Sequence, residues 1–510
     1  MRRRIGVDVG GTNTDGVLIE DGKVIAAHKT PTTEDVLSGV REALSAVAVP
    51  DVQGVMIGTT HFVNAVVQRR DLPRVGALRI GMPASRSLPP FCDWPEDLAT
   101  LVRGAVHMVE GGVDYDGRPI MPLDERAIAA AARQMRAAGL SCVAVSSIFS
   151  PLDPAMEERA AQILRQEMPG ATVTLSHELG RIGLLERENV ALLNAALIPL
   201  AAHTLQAFEQ AVAAAGIAAP LYITQNDGTV IRAELAARFP VLSFASGPTN
   251  SMRGAAFLTG VQDALVVDVG GTTSDFGALK AGFPREANTV VQIGGVRTLF
   301  RMPDLLSIGL GGGSLVREEG GRLSIGPRSV GFRLTKEAIV FGGGTLTATD
   351  IAVRGGRLAL GDASRVASLD PAFAAAALAE AARMIEEAAD RMKADAAEVP
   401  LLAVGGGAFL VPDRIAGISE VLRPANAAVA NAVGAAIAQV SGEADQVFHG
   451  LSRSEAMAEA ERIARARAVD AGADPASLSL VDIEDLPLAY MPGGALRVRA
   501  RVVGDIREAP

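Results

Sequence analysis

Short apolar segments that end at turns rich in Gly, Asp and Thr recur along the chain and predict β-strands. A longer segment between two of them carries acidic residues at its start, which is typical of a helix N-terminus. The predicted elements of the first part are strands at 4–9, 15–19 and 23–30, a helix at about 34–48, a strand at 52–58 and a helix from about Asn64.

Three strands, a helix, a strand and a helix is the order of an RNase-H-like domain, and a similar order starts again later in the chain. The elements expected there are a strand at 264–269, a glycine-dense loop within 294–313, a helix at about 371–396, a strand at 400–404 and a small-residue helix at 431–440. After Gly442, a charged helix at about 452–470 and strands at 478–490 and 495–504 predict a small appended unit.

The predicted fold class is therefore α/β, with two RNase-H-like domains and a small C-terminal α+β appendage. Residues 71–123 are rich in Pro and turn residues, which favours an insertion into the first domain. The predicted limits are 1–190 for the first domain, 191–445 for the second and 446–510 for the appendage.

A nearly repeated string lies at the end of the first strand of each half, as Asp8-Val-Gly-Gly-Thr-Asn-Thr-Asp15 and Asp268-Val-Gly-Gly-Thr-Thr-Ser-Asp275. Glycines let a backbone turn sharply and approach a phosphate closely, and the backbone amides then face the anion. Hydroxyl side chains donate further hydrogen bonds to phosphate oxygens. We therefore interpret the two strings as phosphate-binding hairpins, and a turn capped by structural aspartates is the alternative.

Each residue type in these hairpins has an expected role. Asp8 and Asp268 supply hard oxygen ligands for a water-rich Mg²⁺. One of the four hairpin aspartates, which are Asp8, Asp15, Asp268 and Asp275, is expected to orient a nucleophile. The expected phosphate contacts are Gly10, Gly11, Thr12, Asn13 and Thr14 in the first copy and Gly270, Gly271, Thr272, Thr273 and Ser274 in the second. The glycine-rich loop with Gly311, Gly312 and Gly313 is expected to bring backbone close to phosphate or substrate.

Composition narrows the class of protein. The 510 residues carry a net charge of −10, which argues against a nucleic-acid partner. Two cysteines cannot form a disulfide framework, so a cytoplasmic location is expected. The most apolar helical segment, Val190 to Ala214, contains His203 and Glu209, which are costly in lipid, so we expect a buried or interdomain helix and no membrane partner.

The two hairpins, the late turn Gly405-Gly-Gly-Ala408 and the small-residue helix occur in an order that resembles the superfamily of actin, sugar kinases and Hsp70. Within it the chain is similar to the hydantoinase/oxoprolinase family, A-type (ATP-binding) subunit, as a short divergent branch. That likeness extends to about residue 445. Its motifs include Gly58-Thr-Thr, Ser176-His-Glu178, Gln225-Asn-Asp-Gly228, Ser246-Gly-Pro248, Gly309-Leu-Gly-Gly-Gly-Ser314 and Gly326-Pro-Arg-Ser329.

The resemblance implies an actin-like ATPase fold whose two domains face a nucleotide cleft, with the turn at Gly405, Gly406 and Gly407 against the nucleoside. It implies ATP and Mg²⁺ as cofactors and a cyclic amide as substrate, such as a hydantoin, a lactam or 5-oxoproline. The ring would open after ATP phosphorylates the carbonyl oxygen. A B-type subunit is the expected partner, and we also expect a homo-oligomer. The alternatives are a small-molecule kinase and a nucleotide-binding regulatory protein without turnover.

Several positions are less specific or depart from the family pattern. Leu306-Ser307 stands where the family commonly has a His-Thr pair, and leucine cannot ligate a metal. His61 follows a predicted strand end, where ligands often lie in α/β sheets, so it is a candidate substrate contact or proton carrier. Two further pairs, His177 with Glu178 and Asn226 with Asp227, are candidates for which a structural role is the alternative.

Overall fold

The computed structural model describes residues 2–11, 13–31, 36–287, 290–320, 322–488 and 495–507. Thr12, one of the predicted phosphate contacts, lies outside these residues, as does the predicted start of the first helix near residue 34.

The elements of the first half match the predicted strands and helices closely. In chain order they are β1 (Arg3–Val9), β2 (Asn13–Glu20), β3 (Lys23–Pro31), α1 (Val36–Val47), β4 (Gly54–Thr59), α2 (His61–Gln68), β5 (Val75–Met82), α3 (Glu96–Val102), β6 (Arg103–Glu110), α4 (Glu125–Ala137), β7 (Cys142–Ser147), α5 (Ala155–Glu167), β8 (Thr172–Leu175), α6 (Leu184–Ala214), β9 (Leu221–Thr224), β10 (Val230–Arg232), α7 (Ala233–Arg238) and α8 (Ser246–Thr259).

The second half begins with the strand that was predicted at 264–269. Its elements are β11 (Ala264–Val269), β12 (Ser274–Lys280), β13 (Phe283–Pro284), β14 (Val291–Ile293), β15 (Val296–Thr298), β16 (Leu305–Ile308), β17 (Ser314–Glu319), β18 (Arg322–Ser329), α9 (Leu334–Glu337), α10 (Ala348–Arg354), α11 (Pro371–Met392), β19 (Val399–Val404), β20 (Ile418–Leu422), α12 (Ala430–Ala436), β21 (Val440–Phe448), α13 (Arg453–Asp470), β22 (Ser479–Pro487) and β23 (Leu496–Gly504).

Two sheets of the same strand order form the centre of the molecule. The first contains the run β3-β2-β1-β4-β9, and the second contains β13-β12-β11-β19-β20. In the first sheet, β2 is antiparallel to β1, whereas β4 and β9 run parallel to β1. In the second sheet, β12 is antiparallel to β11, whereas β19 and β20 run parallel to β11. This duplication is the predicted pair of RNase-H-like domains, and apolar side chains of strands and helices fill a core beside each sheet.

A separate four-stranded sheet corrects the predicted extent of the insertion. All of its strands are parallel, in the order β6-β5-β7-β8. Strands β7 and β8 lie beyond residue 123, the predicted end of the insertion, and within the limits predicted for the first RNase-H-like domain. Their apolar pattern does not reveal which sheet they join, and the strand that completes the first RNase-H-like sheet is β9.

Sheet membership also departs from the predicted domain limits at residues 190 and 445. Strands β9 and β10 lie beyond residue 190 but belong to the first sheet. The predicted appendage has its helix, α13, and its two strands, and these strands extend the same first sheet through β21. The predicted elements of the tail are therefore present, but the hydrogen bonds of its strands join it to the first sheet.

Helix α6 is long and apolar enough to cross a membrane by length and composition, but 67% of its most apolar window is buried inside the protein. Its middle packs in a large core with residues from the inserted sheet and from the second half, among them Ala144 and Phe300. It was predicted as a buried helix, and its packing in this core confirms that interpretation.

Helices α8 and α12 lie between the two central sheets and cross at glycine positions. Helix α8 contacts β4 of the first sheet and β11, β12 and β19 of the second, whereas α12 contacts β1, β2 and β4. A Cβ atom at Gly254 would lie 1.8 Å from the Ala430 carbonyl oxygen, and one at Gly434 would lie 1.8 Å from the Asn250 carbonyl oxygen. The two backbones are therefore in direct contact, which fixes the helix pair relative to both sheets.

Candidate functional site

The two repeated strings form turns of the same construction. The Gly10 amide donates to the Asn13 carbonyl oxygen over 3.0 Å, and the Gly270 amide donates to the Thr273 carbonyl oxygen over 2.9 Å. In the strand pairs that carry these turns, each leading aspartate lies opposite a trailing one, Asp8 opposite Asp15 and Asp268 opposite Asp275. The sequence repeat is therefore a repeat of backbone geometry.

The leading aspartates of the two halves are held by neighbouring residues of one helix, α8. Asn250 Nδ2 donates to Asp8 Oδ1 over 3.3 Å, and the Ser251 hydroxyl donates to Asp268 Oδ2. Asn431 of α12 donates to the other oxygen of Asp8 over 2.9 Å. Because Asn250 and Ser251 are adjacent, the two hairpins meet at one place and do not lie on opposite outer surfaces.

Negative charge is concentrated where the hairpins meet. The pKa of Asp8 is raised to about 7, first by burial and then by the charges of Asp15 and Asp268. The pKa of Asp275 is raised to about 6, mainly by burial, and Asp268 adds to the rise. Burial also raises the pKa values of Asp15 and Asp268. Lys29 forms an ion pair with Asp15, 2.7 Å from Nζ to Oδ1.

This arrangement fits a magnesium ion. A carboxylate has about four acceptor positions, and the amides of Asn250 and Asn431 occupy one on each oxygen of Asp8. Burial and the neighbouring carboxylates raise the pKa values of Asp8 and Asp275, and a divalent ion would favour their ionised forms. No cluster of three or more metal-binding side chains occurs in the described ranges. An ion here would take its remaining ligands from water and phosphate, as Mg²⁺ commonly does.

The third predicted loop, Gly405 to Gly407, reaches the second hairpin. Gly405 has a φ of +88°, and a Cβ atom there would lie 2.2 Å from Asp268 Oδ1. The Gly407 amide donates to the Val269 carbonyl oxygen over 2.7 Å, whereas Gly406 is exposed with open space above its Cα. The loop therefore presents bare backbone beside Asp268, as expected for a surface on which a nucleoside lies.

The glycine-rich loop before β17 supports the second hairpin with amides that were predicted to face phosphate. The Gly312 amide donates to the Gly270 carbonyl oxygen over 3.0 Å, and the Gly313 amide donates to Gly271 over 2.8 Å. Gly311 is buried so closely against this turn that a Cβ atom would lie 2.6 Å from the Thr272 amide nitrogen. These glycines hold the hairpin by close approach of one backbone to another.

Two predicted hydroxyl contacts point away from the meeting place of the hairpins, and both are corrections. Ser274 is buried and donates to the Leu310 carbonyl oxygen over 2.6 Å. Thr14 is buried, and its Oγ1 lies 2.8 Å from where a Cβ of Gly39 in α1 would be. Side chains alternate between the faces of a strand, so residues next to Asp15 and Asp275 face the core. Among the described turn residues, Gly11, Thr272 and Thr273 are exposed, and Gly10, Asn13, Gly270 and Gly271 are partly exposed.

Comparison with known proteins agrees with the duplicated fold. A family model described as "Hydantoinase/oxoprolinase N-terminal region" matches residues 4–168, and one described as "Hydantoinase/oxoprolinase" matches residues 187–363. Together they cover more than half of the chain. The protein belongs to the hydantoinase/oxoprolinase family.

Relatives in this family carry different activities in their names. The chain is 26% identical to "Caprolactamase subunit alpha" of Pseudomonas jessenii over 388 residues, which are 70% of this chain and 55% of the relative. It is 27% identical to "Acetophenone carboxylase gamma subunit" of Aromatoleum aromaticum over 383 residues, 68% of this chain and 52% of the relative. The chain thus spans about half the length of the curated relatives it matches.

Solved structures of the family confirm the fold. The crystal structure of an ATP-dependent caprolactamase from Pseudomonas jessenii matches with a TM-score of 0.77 and 21% identity, over 99% of this chain and 88% of that one. A nucleotide-free acetone carboxylase structure matches with a TM-score of 0.68 and 20% identity, over the same shares of the two chains.

Where the family commonly has a histidine, Leu306 packs on the hydrophobic core of the second sheet. Its neighbour Ser307 lies opposite Asp275 in the strand pair and donates its hydroxyl to Asp275 Oδ1. An apolar side chain thus occupies the position at which the resemblance to the family implied a metal-binding histidine. The hydroxyl of Ser307 holds the trailing aspartate of the second hairpin.

His61 lies at the first position of α2, at the end of the strand next to β1. Its amide donates to Thr59 Oγ1 over 3.1 Å, and burial lowers the pKa of its half-buried ring. In the strand register Asp8 lies opposite Gly58, as Asp268 lies opposite Val404 just before the third loop. The segment from Thr59 to His61 is therefore the first-half counterpart of that loop, and His61 remains a candidate for substrate contact.

The two less specific pairs serve the structure. His177 Nδ1 lies 2.8 Å from Glu157 Oε2, and Glu178 pairs with Arg238. Asn226 donates to the Val241 carbonyl oxygen over 3.0 Å, and Asp227 pairs with Arg301 over 2.5 Å. These side chains join segments of the fold, so the contacts support a structural role for both pairs.

Lys29, Asn250, Ser251 and Asn431 were not among the predicted site residues. Lys29 lies on β3 opposite Asp15 and pairs with it, and its charge also lowers the pKa of Asp268. The other three come from helices far along the chain. Their only sequence signal is their position in the helix segments between and after the two repeats.

Proposed function

We propose that this chain binds ATP with Mg²⁺ between the two hairpins and is the ATP-dependent component of an enzyme that activates a carbonyl group. The observation that supports this most strongly is the meeting of Asp8 and Asp268 at α8, with Lys29 and the exposed turn residues beside them. Caprolactamase subunit alpha as a relative makes opening of a cyclic amide the first candidate reaction.

The proposed chemistry has two steps. First, the amide carbonyl oxygen attacks the γ-phosphorus of ATP, a P–O bond forms, and the bond to ADP breaks. Next, one water adds to the activated carbon and the C–N bond breaks as the ring nitrogen accepts a proton, which leaves an acyl phosphate that a second water cleaves to a carboxylate and inorganic phosphate. Phosphoryl transfer depends mainly on positioning and charge neutralisation. Bound Mg²⁺ would supply part of that neutralisation.

The residues of this chain have separate tasks in that scheme. In this scheme the turn amides at Gly11 and Thr272 and the hydroxyls of Thr272 and Thr273 would bind phosphate oxygens. Lys29 would leave Asp15 and contact the transferred phosphoryl group, where it would offset the charge that develops. Gly405 to Gly407 would hold the nucleoside, and closure of the two halves would exclude water until the second step.

Carboxylation of a ketone is a second candidate, favoured by the similar identity to acetophenone carboxylase gamma subunit. It begins with the same kind of activation, attack of a substrate oxygen on the γ-phosphorus of ATP with release of ADP, and differs in requiring bicarbonate. The partner expected for either reaction is a second subunit, since both named relatives are subunits.

The test incubates the protein with ATP and Mg²⁺, with and without the product of the neighbouring gene. The substrates are hydantoins, 5-oxoproline, lactams including caprolactam, and ketones with bicarbonate. Ring opening coupled to ADP release supports the first candidate, and bicarbonate-dependent carboxylation supports the second. A stable phosphorylated product would instead indicate a kinase. Nucleotide binding without turnover under every condition would indicate a regulatory protein, and absence of nucleotide binding would refute the proposal.

A further inference from the structure

Helix α8 carries two adjacent polar side chains that each contact a different half of the molecule. Asn250 reaches back to Asp8 on the first sheet, and Ser251 reaches Asp268 on the second. Both side chains are buried, at 0% and 1% exposure. Consecutive helix residues differ by about 1.5 Å in rise along the helix axis. One short piece of rigid backbone therefore holds both aspartates.

The helix has little freedom to move away from either aspartate. Gly254 and Gly434 bring α8 and α12 into backbone contact, and Gly6 of β1 is so close to α12 that a Cβ atom would lie 2.1 Å from the Ala432 carbonyl oxygen. On the other side, a Cβ atom at Gly277 of β12 would lie 2.3 Å from Met252 Sδ. Both hairpins are therefore packed against the same helix pair.

Asn250 is more than a single contact to Asp8. Its Nδ2 also donates to Thr224 Oγ1 over 3.0 Å at the end of β9, whereas its buried Oδ1 has no partner among the described residues. An unpaired buried carbonyl oxygen is costly, and such atoms concentrate where a water or a ligand completes the network. The side chain thus joins Asp8 to the end of β9 and keeps one buried acceptor unpaired beside them.

We propose that Asn250 and Ser251 are positioning residues that hold Asp8 and Asp268 in the relative orientation required for the Mg²⁺–nucleotide complex. Asn431 supports the same orientation from α12. The inference rests on the proposed nucleotide site and adds the device that sets its geometry: one helix fixes both acidic ligands, so either donor can be lost separately while the fold keeps its core.

The test measures affinity for ADP and for a non-hydrolysable ATP analogue, each with saturating Mg²⁺ and with a chelator. Ser251→Ala removes one oxygen atom and leaves Asp268 without its donor, so we expect at least about a tenfold loss of affinity with Mg²⁺, the scale of a hydrogen bond to a charged group. Affinity in chelator is expected to change less than about twofold, because the variant does not touch the nucleoside loop.

A double-mutant cycle separates positioning from general loosening of the fold. Ser251→Ala should have no further effect when Asp268 is already Asn, and Asn250→Ala should have none when Asp8 is Asn, whereas the crossed combinations should add. Asn431→Ala provides a second, partly exposed site in case Asn250→Ala does not fold. Thr259→Ala is the matched control, since its hydroxyl bonds to Ala255 of its own helix.

The outcomes are distinct. If Asp8→Asn and Asp268→Asn lose Mg²⁺-dependent binding while Ser251→Ala and Asn431→Ala bind like wild type, the positioning role is overturned and the nucleotide site stands. Equal losses with and without Mg²⁺, or additive effects within each pair, also overturn it. A wild-type protein with no Mg²⁺-dependent nucleotide binding overturns the proposed function and this inference together.

Discussion

Replacing Gly254 with alanine is expected to separate α8 from α12 and to loosen the hold on Asp8. The added Cβ would lie 1.8 Å from the Ala430 carbonyl oxygen, and such atoms essentially never approach within 3.0 Å. The helices must therefore part by about 1.2 Å, the difference between those two distances. Introducing an extra methyl group into a packed interface of this kind costs about 1–3 kcal/mol.

The same displacement reaches the site. The bonds from Asn250 and Asn431 to Asp8 are 3.3 and 2.9 Å long, so a shift of that size along either one takes it beyond hydrogen-bond range. Losing one hydrogen bond to a charged group would lower the free energy of unfolding by about 1.5–3 kcal/mol more. We therefore expect Gly254→Ala to lower the free energy of unfolding by about 2.5–6 kcal/mol.

Urea denaturation and Mg²⁺–ADP titration measure the two effects. Gly247→Ala is the matched control on the same helix, because the nearest atom to its Cβ would be Thr60 Cγ2 at 3.5 Å, an ordinary contact. A Gly254→Ala protein with the stability and nucleotide affinity of wild type would refute the claim that backbone contact between these helices sets the site.

Three further predictions concern separate charges. Arg79→Met leaves Glu188 buried without its cation and should cost about 3–5 kcal/mol of unfolding free energy in urea; a loss below 1 kcal/mol would contradict the importance of this pair. Lys29→Met should weaken ATP-analogue binding at least about tenfold if the ammonium contacts phosphate, and unchanged affinity would remove it from the scheme. Glu157 raises the pKa of His177, so their pair should stabilise the fold fully below pH 6.5, the ordinary pKa of histidine, and lose that contribution as the pH rises through the raised pKa. Urea midpoints between pH 5.5 and 9 should show this fall, and His177→Gln should flatten it.

Local features of the site followed from the sequence because they are encoded within a few residues. A strand that ends in Asp, two glycines and hydroxyl residues specifies a hairpin, and a near copy specifies a second one. The likeness of the two strings also implied related halves, and the matching strand orders of the two sheets confirm it. By contrast, the predicted roles of Ser274 and Thr14 overlooked strand alternation, which turns both side chains toward the core.

The residue that lies opposite Asp15 could not be found by counting along the strands, because the pairing of β2 with β3 is irregular. The pairing of β2 with β3 starts with Glu20 opposite Lys23, and without a break it would place His28 opposite Asp15. The register shifts by one between Leu18 and Ile19, and this brings Lys29 opposite Asp15 instead. A bulge exchanges the faces of every later residue in the strand, so the cation nearest the predicted site could not be identified from spacing alone.

The parts of the site that escaped prediction are those that exist only after the halves assemble. Asn250 and Ser251 look like ordinary polar residues of a helix, and neither lies within a repeated motif. Their function is defined by Asp8, 242 positions earlier, and by Asp268, 17 positions later. Burying several carboxylates together raises their pKa values and opposes folding, so the chain must surround them with donors from elsewhere. Those donors come from the helix pair that both sheets share, which is why the position of the charges and the rigidity of the α8–α12 crossing cannot be altered independently.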